Sequence, residues 1–279
     1  MRIDAPPAAG LRLTRINDDS AWIIELDGTT LLLDPWLGGD AVLGVRWMSW
    51  ARLNQPTLPA SALPAADAVI VSHPFPDHCH PSSLRQLPRS LPAYAPRLVV
   101  PFLKVLGGFD SVQEVPNATA GQAPVRIGNV DASWCRAAGA LDTTHNGLVL
   151  KGVHSGASLL YCPHGMLLGD ATMAAVERCV GGRLEALLCS FGLLDLPFWL
   201  GGVANLGLDP GLALARHLNP RHVFNTHDGD KVDGGLVGAV SKVERCAAIA
   251  GPLGQAPLPD VLAPPSPVGA AWAPQRAIA

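Results

Sequence analysis

The chain has 279 residues, of which 48% are hydrophobic and only 15% are charged. This composition supplies a large apolar core and excludes a disordered chain, which would be poor in apolar residues and rich in charge. The net charge is −3, and no run of Lys and Arg occurs. A nucleic-acid partner, which normally requires a basic surface, is therefore not expected.

The sequence also bears on where the protein acts. No apolar stretch reaches the roughly 18 residues that span a bilayer. The N-terminal residues 1–7 lack the basic-then-apolar layout of a signal peptide. The six cysteines are scattered, without a CxxC pair, which is typical of reduced thiols. We therefore expect a cytoplasmic protein without a membrane partner; its oligomeric state stays open.

The first part of the chain predicts strands. Residues 11–16 alternate between apolar and polar side chains, as in a half-buried strand. Residues 21–26 and 29–33 flank Asp27-Gly28, a hairpin turn signal. Residues 68–71 form a short apolar run, which is typical of a buried strand.

Two segments have an unusual composition. Residues 37–64 contain Trp47, Trp50 and several prolines, and we expect a long loop that either covers a substrate or packs over one end of the fold. Residues 191–200 are almost wholly apolar. Core packing is the favoured interpretation, and the lining of a substrate pocket is the alternative.

Strands and helices alternate through the rest of the chain. Strands are expected at 98–103, 125–127, 132–135, 147–150, 158–162, 186–189 and 223–224, and helices at 81–87, 170–182, 210–218 and 237–249. Such an order favours an α/β protein in which two sheets are covered by helices. We expect one domain over residues 1–251, followed by a Pro/Ala-rich tail at 252–279.

Histidines accumulate at the ends of predicted strands. The residues concerned are His73, Asp77, His78 and His80 after the strand at 68–71, His164 and His227 after later strands, and His145 before one. Strand ends can converge at one edge of a sheet, where functional loops are common. Imidazole nitrogens and a carboxylate are the ligands that zinc, iron or manganese prefers.

The segment from Ser72 to His78 resembles the H-x-H-x-D-H signature of metallo-β-lactamase-fold hydrolases. Asp67 to Val71 is similar to the strand that leads into that signature, and Arg15 to Trp36 is similar to the family's first hairpin. His227 stands where the family's last histidine ligand is expected. The resemblance covers roughly residues 11–240, and it implies a four-layer αββα sandwich.

The chain departs from the family pattern at two positions. Phe75 replaces the second histidine of the signature, and phenylalanine cannot bind a metal. His164 stands where a bridging aspartate is usual. The resemblance is to a divergent branch of the superfamily with Asp-His-Cys-His and Pro-His-Gly motifs, and it implies at most a reduced metal centre.

The leading expectation is a metal-dependent hydrolase that acts on a small, partly apolar organic molecule. Asp77 and His78 are the expected catalytic residues. One divalent ion, zinc with manganese or iron as alternatives, would be held by His73, Asp77, His78, His164 and His227, with weaker candidates in His80 and His145. Two alternatives stay open. One is a metal-free acid–base enzyme, such as a cyclase, isomerase or lyase, and the other is a non-catalytic binding protein.

Overall fold

The computed structural model describes residues 10–137, 142–245, 268–269 and 271–272. In chain order the strands are β1 (Leu11–Arg15), β2 (Trp22–Leu26), β3 (Thr29–Leu33), β4 (Ala41–Val42), β5 (Trp50–Leu53), β6 (Ala68–Ile70), β7 (Ala93–Pro96), β8 (Val112–Val115), β9 (Val125–Ile127), β10 (Val130–Cys135), β11 (Gly147–Gly152), β12 (Ser158–Cys162), β13 (Ala186–Cys189), β14 (Leu193–Asp195), β15 (Val203–Leu206), β16 (His222–Asn225), β17 (Lys231–Gly234), β18 (Lys242–Glu244) and β19 (Ala271–Trp272). The α-helices are α1 (Pro81–Leu84), α2 (Val100–Leu106), α3 (Asp170–Val180), α4 (Leu208–Leu218) and α5 (Gly235–Val240).

Two large sheets form the centre of the molecule. Seven strands are ordered β19-β1-β2-β3-β6-β7-β8 in the first sheet, and six are ordered β16-β13-β12-β11-β10-β9 in the second. The first sheet runs parallel from β3 through β6 and β7 to β8, and the second runs parallel from β12 through β13 to β16. The parallel strands bring several carboxyl ends to one edge of each sheet, where binding sites are commonly built.

Three apolar clusters separate the layers. Between the sheets, alternate residues such as Ile24, Ile70 and Leu159 pack together. The opposite faces hold Val69 in a cluster with α1 and α2, and Leu160 in a cluster with α3 and α4. Because successive strand residues point to opposite faces, strands buried on both sides read as continuous apolar runs. The result is the four-layer αββα sandwich that the sequence predicted.

Two small sheets lie outside the sandwich. One is ordered β15-β14-β18 and the other β17-β5-β4. The second of these pairs the segment 37–64 with the chain after His227, through the register Trp50↔Gly234. The expectation of an irregular loop at 37–64 is thus wrong in part, since the segment contains a hairpin.

Two other predicted elements are wrong. Residues 98–103 lie largely in helix α2 rather than in a strand, because Pro101 occupies its first turn, where proline is favoured. Leu103 is buried while Phe102 and Val105 are exposed, which is helical spacing. The predicted helix at 237–249 ends at Val240, and β18 follows; residues 246–249 lie outside the described residues.

The predicted tail at 252–279 is largely outside the described residues too. Its residues Ala271–Trp272 form β19, which pairs with β1 at the edge of the first sheet. None of the described helices is long and apolar enough to cross a membrane.

Candidate metal centre

The histidines converge where the two sheets meet. The turn after β6 carries His73, Asp77 and His78, while His164 follows β12 and His227 follows β16. Potential ligand atoms of Asp77, His78 and His227 all lie within 4.8 Å of one another, as do those of His73, His78 and His164. His78 is common to both groups, and all four imidazoles are buried.

His78 is held by a buried carboxylate. Its Nδ1 donates to Asp34 Oδ2 at 2.7 Å. Asp34 follows β3 and also accepts bonds from Ser72 N at 2.7 Å and from Tyr161 Oη at 2.7 Å. Burial would raise the pKa of Asp34, but the His78 imidazole and these hydrogen bonds lower it below its ordinary value. An ionised Asp34 therefore fixes the ring and directs Nε2 of His78 into the centre.

The acidic surroundings of His78 favour a positive charge. Burial opposes the charged imidazole, yet the carboxylates of Asp34 and Asp77 outweigh burial and raise the pKa of His78. Asp77 itself stays ionised, because His78 and His227 hold its pKa well below the usual range despite burial. A cation at this place would meet the same attraction as the proton does.

His164 and His227 share one partner. Nδ1 of His164 lies 2.8 Å from Oδ1 of Asn205, and Nδ1 of His227 lies 3.1 Å from Nδ2 of the same side chain. The other ring nitrogen of His227 lies 2.9 Å from Oδ2 of Asp77. Burial and the neighbouring imidazoles hold the pKa of His164 well below its ordinary value, so its ring is neutral.

Two of the buried nitrogens fit a metal ion. Nε2 of His78 and Nε2 of His164 have no hydrogen-bond partner within the described residues. A buried polar atom of this kind normally finds a partner, and its lack of one requires an explanation. Because His78 is grouped with His164 on one side and with Asp77 on the other, both the nitrogen and the oxygen donors that a divalent cation prefers lie around it.

The remaining predicted ligands are placed less favourably. His73 lies in the cluster, but its Nε2 contacts Thr144 O at 2.9 Å and its Nδ1 contacts Ser72 Oγ at 2.8 Å. Both of its nitrogens are therefore engaged. Phe75 stacks on His73 with ring centroids 6.2 Å apart, at the position where the family signature has a second imidazole.

The two weaker candidates lie outside both groups of ligand atoms. His80 precedes helix α1, where its Nδ1 lies 2.7 Å from Ser83 Oγ. His145 binds Asp142 through Nδ1 at 2.8 Å, and its Nε2 has no partner among the described residues. His80 is thus a helix-terminus contact, and His145 is a buried histidine beside the centre.

A cavity of about 320 Å³ opens onto the centre. Its wall includes Phe75, Asp77, His164 and His227 together with both small sheets. Apolar side chains from the β4–β5 hairpin, the β14–β15 hairpin, α5 and β18 dominate the wall: Leu43, Leu193, Leu194, Leu196, Leu200, Val203, Val237 and Val243. The segment 191–200 mainly lines this cavity, so the favoured interpretation as core packing holds only for Phe191, which is buried.

The charges of the cavity wall are mostly negative. The acidic side chains are Asp77, Asp228, Asp233 and Glu244, and the basic ones are Lys231 and Arg245. Lys231 Nζ lies 3.0 Å from Asp19, and Arg245 lies 3.0 Å from Asp233. Both cations are thus already paired.

Two residues of the centre were missed in the sequence. Asp34 lies 44 positions from His78 and Asn205 lies 41 positions from His164. The place of Asp34 at the end of a predicted strand was a usable signal. Asn205 stands in a segment with no recognisable motif.

A family model described as a beta-lactamase superfamily domain matches residues 15–179. No curated protein matches the chain. The fold is similar to three solved structures at low sequence identity. The first is an isothiocyanate hydrolase from Delia radicum gut bacteria, with 16% identity over 77% of this chain and 84% of that one and a TM-score of 0.56. The second is a possible metal-dependent hydrolase from Veillonella parvula, with 14% identity over 78% of this chain and 86% of that one and a TM-score of 0.59. The third is a diiron beta-hydroxylase from Streptomyces venezuelae, with 15% identity over 80% of this chain and 46% of that one and a TM-score of 0.58.

Proposed function

The chain belongs to the metallo-β-lactamase superfamily, and from this premise we propose that it is a metal-dependent hydrolase of small, neutral, partly apolar molecules. The observation that carries the proposal is the buried, unpartnered Nε2 of His78, a residue that belongs both to the ligand group with Asp77 and His227 and to the one with His73 and His164. Two of the similar structures are described as hydrolases, one of them as possibly metal-dependent.

One divalent ion is the proposed cofactor, with zinc as the expected metal and manganese or iron as alternatives. We propose Asp77, His78 and His227, whose ligand atoms lie within 4.8 Å of one another, as its ligands, with His164 next to His78. When bound, such an ion supplies Lewis-acid polarisation of an oxygen on the substrate or on water. The protein's own part is to orient the donors, as Asp34 does for His78.

In the metal-free alternative, proton transfer would fall to Asp77 and His227. The carboxylate and imidazole lie 2.9 Å apart at the base of the cavity. An ionised carboxylate paired with a histidine can accept a proton from a nucleophile and return it to a leaving group. The same contact is the observation that favours the alternative of a metal-free acid–base enzyme.

The cavity favours a neutral substrate. Its wall is mainly apolar, so burial of a hydrocarbon portion contributes roughly 25 cal/mol per Å² of area. The acidic side chains outnumber the basic ones, and both basic ones are paired. At the far end of the cavity, away from the proposed ion, a phosphate or carboxylate group would meet repulsion that no free cation of the described cavity wall offsets.

Metal analysis of the purified protein tests the cofactor. We expect roughly one equivalent of bound metal, and less than about a tenth of an equivalent would contradict the hydrolase proposal. His78→Ala should abolish metal binding. His80→Ala is the matched control two positions away and should retain the metal, because its ring nitrogens face Ser83 and Asp40.

Paired substrates test the preference for neutral molecules. Neutral esters or isothiocyanates with an apolar group should be hydrolysed with a higher kcat/KM than analogues that carry a carboxylate at the far end. Equal or higher rates with the anionic analogues would refute the charge argument without affecting the metal proposal.

A further inference from the structure

Two cysteines away from the metal centre are in contact where helix α3 packs on the second sheet. Cys135 ends β10 and is fully buried, whereas Cys179 lies in the last turn of α3 and is partly buried. Cys179 packs against the apolar cluster that contains Cys135, and the two thiols are hydrogen-bonded to each other. Sulfur atoms in such contact need only a short further approach to reach the length of a disulfide bond, about 2.05 Å.

Cys179 also faces a cavity that is separate from the one at the metal centre. This cavity has a volume of about 460 Å³, and its wall includes Cys179, Ser133, Lys151 and Arg178. Ser133 precedes Cys135 by two residues on β10, so both side chains lie on the face of the sheet that α3 covers. A small reagent from solvent can therefore reach Cys179, whereas the core covers Cys135.

Basic side chains surround the Cys179 sulfur. The last turn of a helix disfavours a negative charge. Lys151 Nζ lies beside Gly181, the residue that caps the end of α3, and opposes that effect. Arg178 donates to backbone carbonyls rather than to a carboxylate, so its positive charge acts on the cavity as well.

The more exposed sulfur of the pair carries the negative charge. The hydrogen bond from Cys135, with smaller contributions from Ser133 and both cations, lowers the pKa of Cys179 to about 6 against the opposing effect of burial. The same hydrogen bond and burial raise the pKa of Cys135, which therefore keeps its proton. Asp131, an acidic side chain of the cavity wall, is paired with Arg126 and does not offset the cations. Since the thiolate is the nucleophilic form of cysteine, Cys179 is the reactive member of the pair.

We propose that Cys179 is a site of oxidation by hydroperoxides and that Cys135 converts the oxidised residue into a disulfide. The Cys179 thiolate attacks the terminal oxygen of the hydroperoxide, and the O–O bond breaks. The sulfur is oxidised to a sulfenic acid, while the peroxide is reduced to an alcohol or water that takes its proton from solvent. The Cys135 thiol then attacks the sulfenic sulfur, which forms the S–S bond and releases water. Neither step involves the metal centre.

A second cysteine pair provides a control within the same molecule. Cys162 and Cys189 are register partners on β12 and β13 and are likewise hydrogen-bonded, but both are fully buried. The hydrogen bond with Cys162 and burial raise the pKa of Cys189 well above its ordinary value. Hydroperoxide should therefore leave this pair reduced.

Peptide mapping after treatment with hydrogen peroxide tests the proposal. Trypsin places the four cysteines in separate peptides, 127–136, 152–178, 179–183 and 184–216. We expect a disulfide between the first and the third peptide, with free thiols in the other two. An unmodified Cys179, a disulfide that joins it to any other cysteine, or equal oxidation of the buried pair would overturn the proposal.

Two serine variants separate the two roles. In Cys135→Ser the reaction should stop at the sulfenic acid of Cys179, which dimedone traps, and in Cys179→Ser the Cys135 thiol should stay unmodified. Circular dichroism verifies that both variants are folded. A dimedone adduct as abundant in the wild type as in Cys135→Ser would contradict the role of Cys135, and oxidation of Cys135 in Cys179→Ser would contradict that of Cys179.

Alkylation of Cys179 by iodoacetamide is an independent readout. The rate should reach half of its maximum near pH 6, because the thiolate is the reactive form. Cys135→Ala removes the hydrogen bond to the thiolate and should move this midpoint to higher pH. An unchanged midpoint in Cys135→Ala, or a wild-type midpoint close to that of an ordinary thiol at about pH 8.5, would refute the assignment.

Discussion

Asp34 is the residue on which the position of His78 depends. It is fully buried and takes a positive φ of 47°, and its two oxygens accept bonds from Ser72, His78 and Tyr161. A non-glycine residue in this backbone region is uncommon and is retained where the surrounding contacts determine it. The strain is consistent with a role in orienting the centre.

Asp34→Asn should therefore weaken metal binding without removing any ligand. The amide keeps the shape of the side chain but loses the negative charge that faces His78, so we expect zinc affinity to fall by about 10–100-fold. The measurement is competition with a chelator. Asp27→Asn, in the turn between β2 and β3, is the control and should keep the wild-type affinity; an unchanged affinity for Asp34→Asn would show that the carboxylate does not orient His78.

Individual site residues could be predicted from the sequence where they follow a strand or match a spaced motif. Asp77, His78, His164 and His227 were named because they follow strands or match a spaced motif, and the structure brings them together. Asp34 and Asn205 act through contacts with residues more than 40 positions away. Such pairing depends on the arrangement of both sheets, which local sequence does not encode.

Among the elements, the hairpin β4–β5 and strand β17 form a wall of the cavity. Gly234 of β17 is opposite Trp50 of β5, and a Cβ atom at Gly234 would lie 2.3 Å from the Trp50 ring. The φ of Gly234 is −144°, so backbone strain is not at issue. Close approach of the indole to the backbone requires glycine here.

Gly234→Ala should displace the Trp50 ring and loosen this wall. Overpacking of this kind costs about 1–3 kcal/mol locally. We expect KM for an apolar substrate to rise while the bound-metal content stays at the wild-type value, because the proposed metal ligands lie on other elements. Steady-state kinetics with metal analysis tests this.

Gly182→Ala is the matched control, since nothing lies within 4 Å of a Cβ at that position. It should leave KM unchanged. A loss of bound metal in Gly234→Ala would instead show that the cavity wall formed by β17 also helps to hold the metal centre in place.

Element prediction succeeded where periodicity was decisive. The short apolar run at β6 is buried on both faces, as its composition indicated, and the strands predicted at 158–162 and 186–189 are β12 and β13. The failure at 98–103 has a physical cause. Helix α2 carries two exposed apolar residues, Phe102 and Val105, and the half-buried Val100, so its composition resembles that of a strand. Short strands such as β14 and β17 form only by pairing with distant segments.

For the whole molecule, the three apolar clusters are complete without any ion. The residues of the centre extend from strand ends that the two sheets already hold in place. Folding should therefore not depend on the metal, in contrast to small zinc domains that unfold without it.

Chelation should lower the melting temperature without unfolding the protein. A ligand at about 100 times its Kd adds roughly 2.7 kcal/mol of stability, which corresponds to a shift on the order of 5–10 °C for a chain of this size. Thermal denaturation with and without a chelator measures the shift. Loss of the folded circular dichroism spectrum at 25 °C after chelation would contradict this expectation.

The position of the centre at the seam between the sheets has a further consequence. Residues before Ala137 supply Asp34, Asp77 and His78, and residues after Asp142 supply His164, Asn205 and His227. Neither half of the polypeptide holds the complete set of proposed ligands. If the chain were divided between these halves and the fragments were produced separately, high-affinity zinc uptake would report their reassociation, and zinc would in turn promote it.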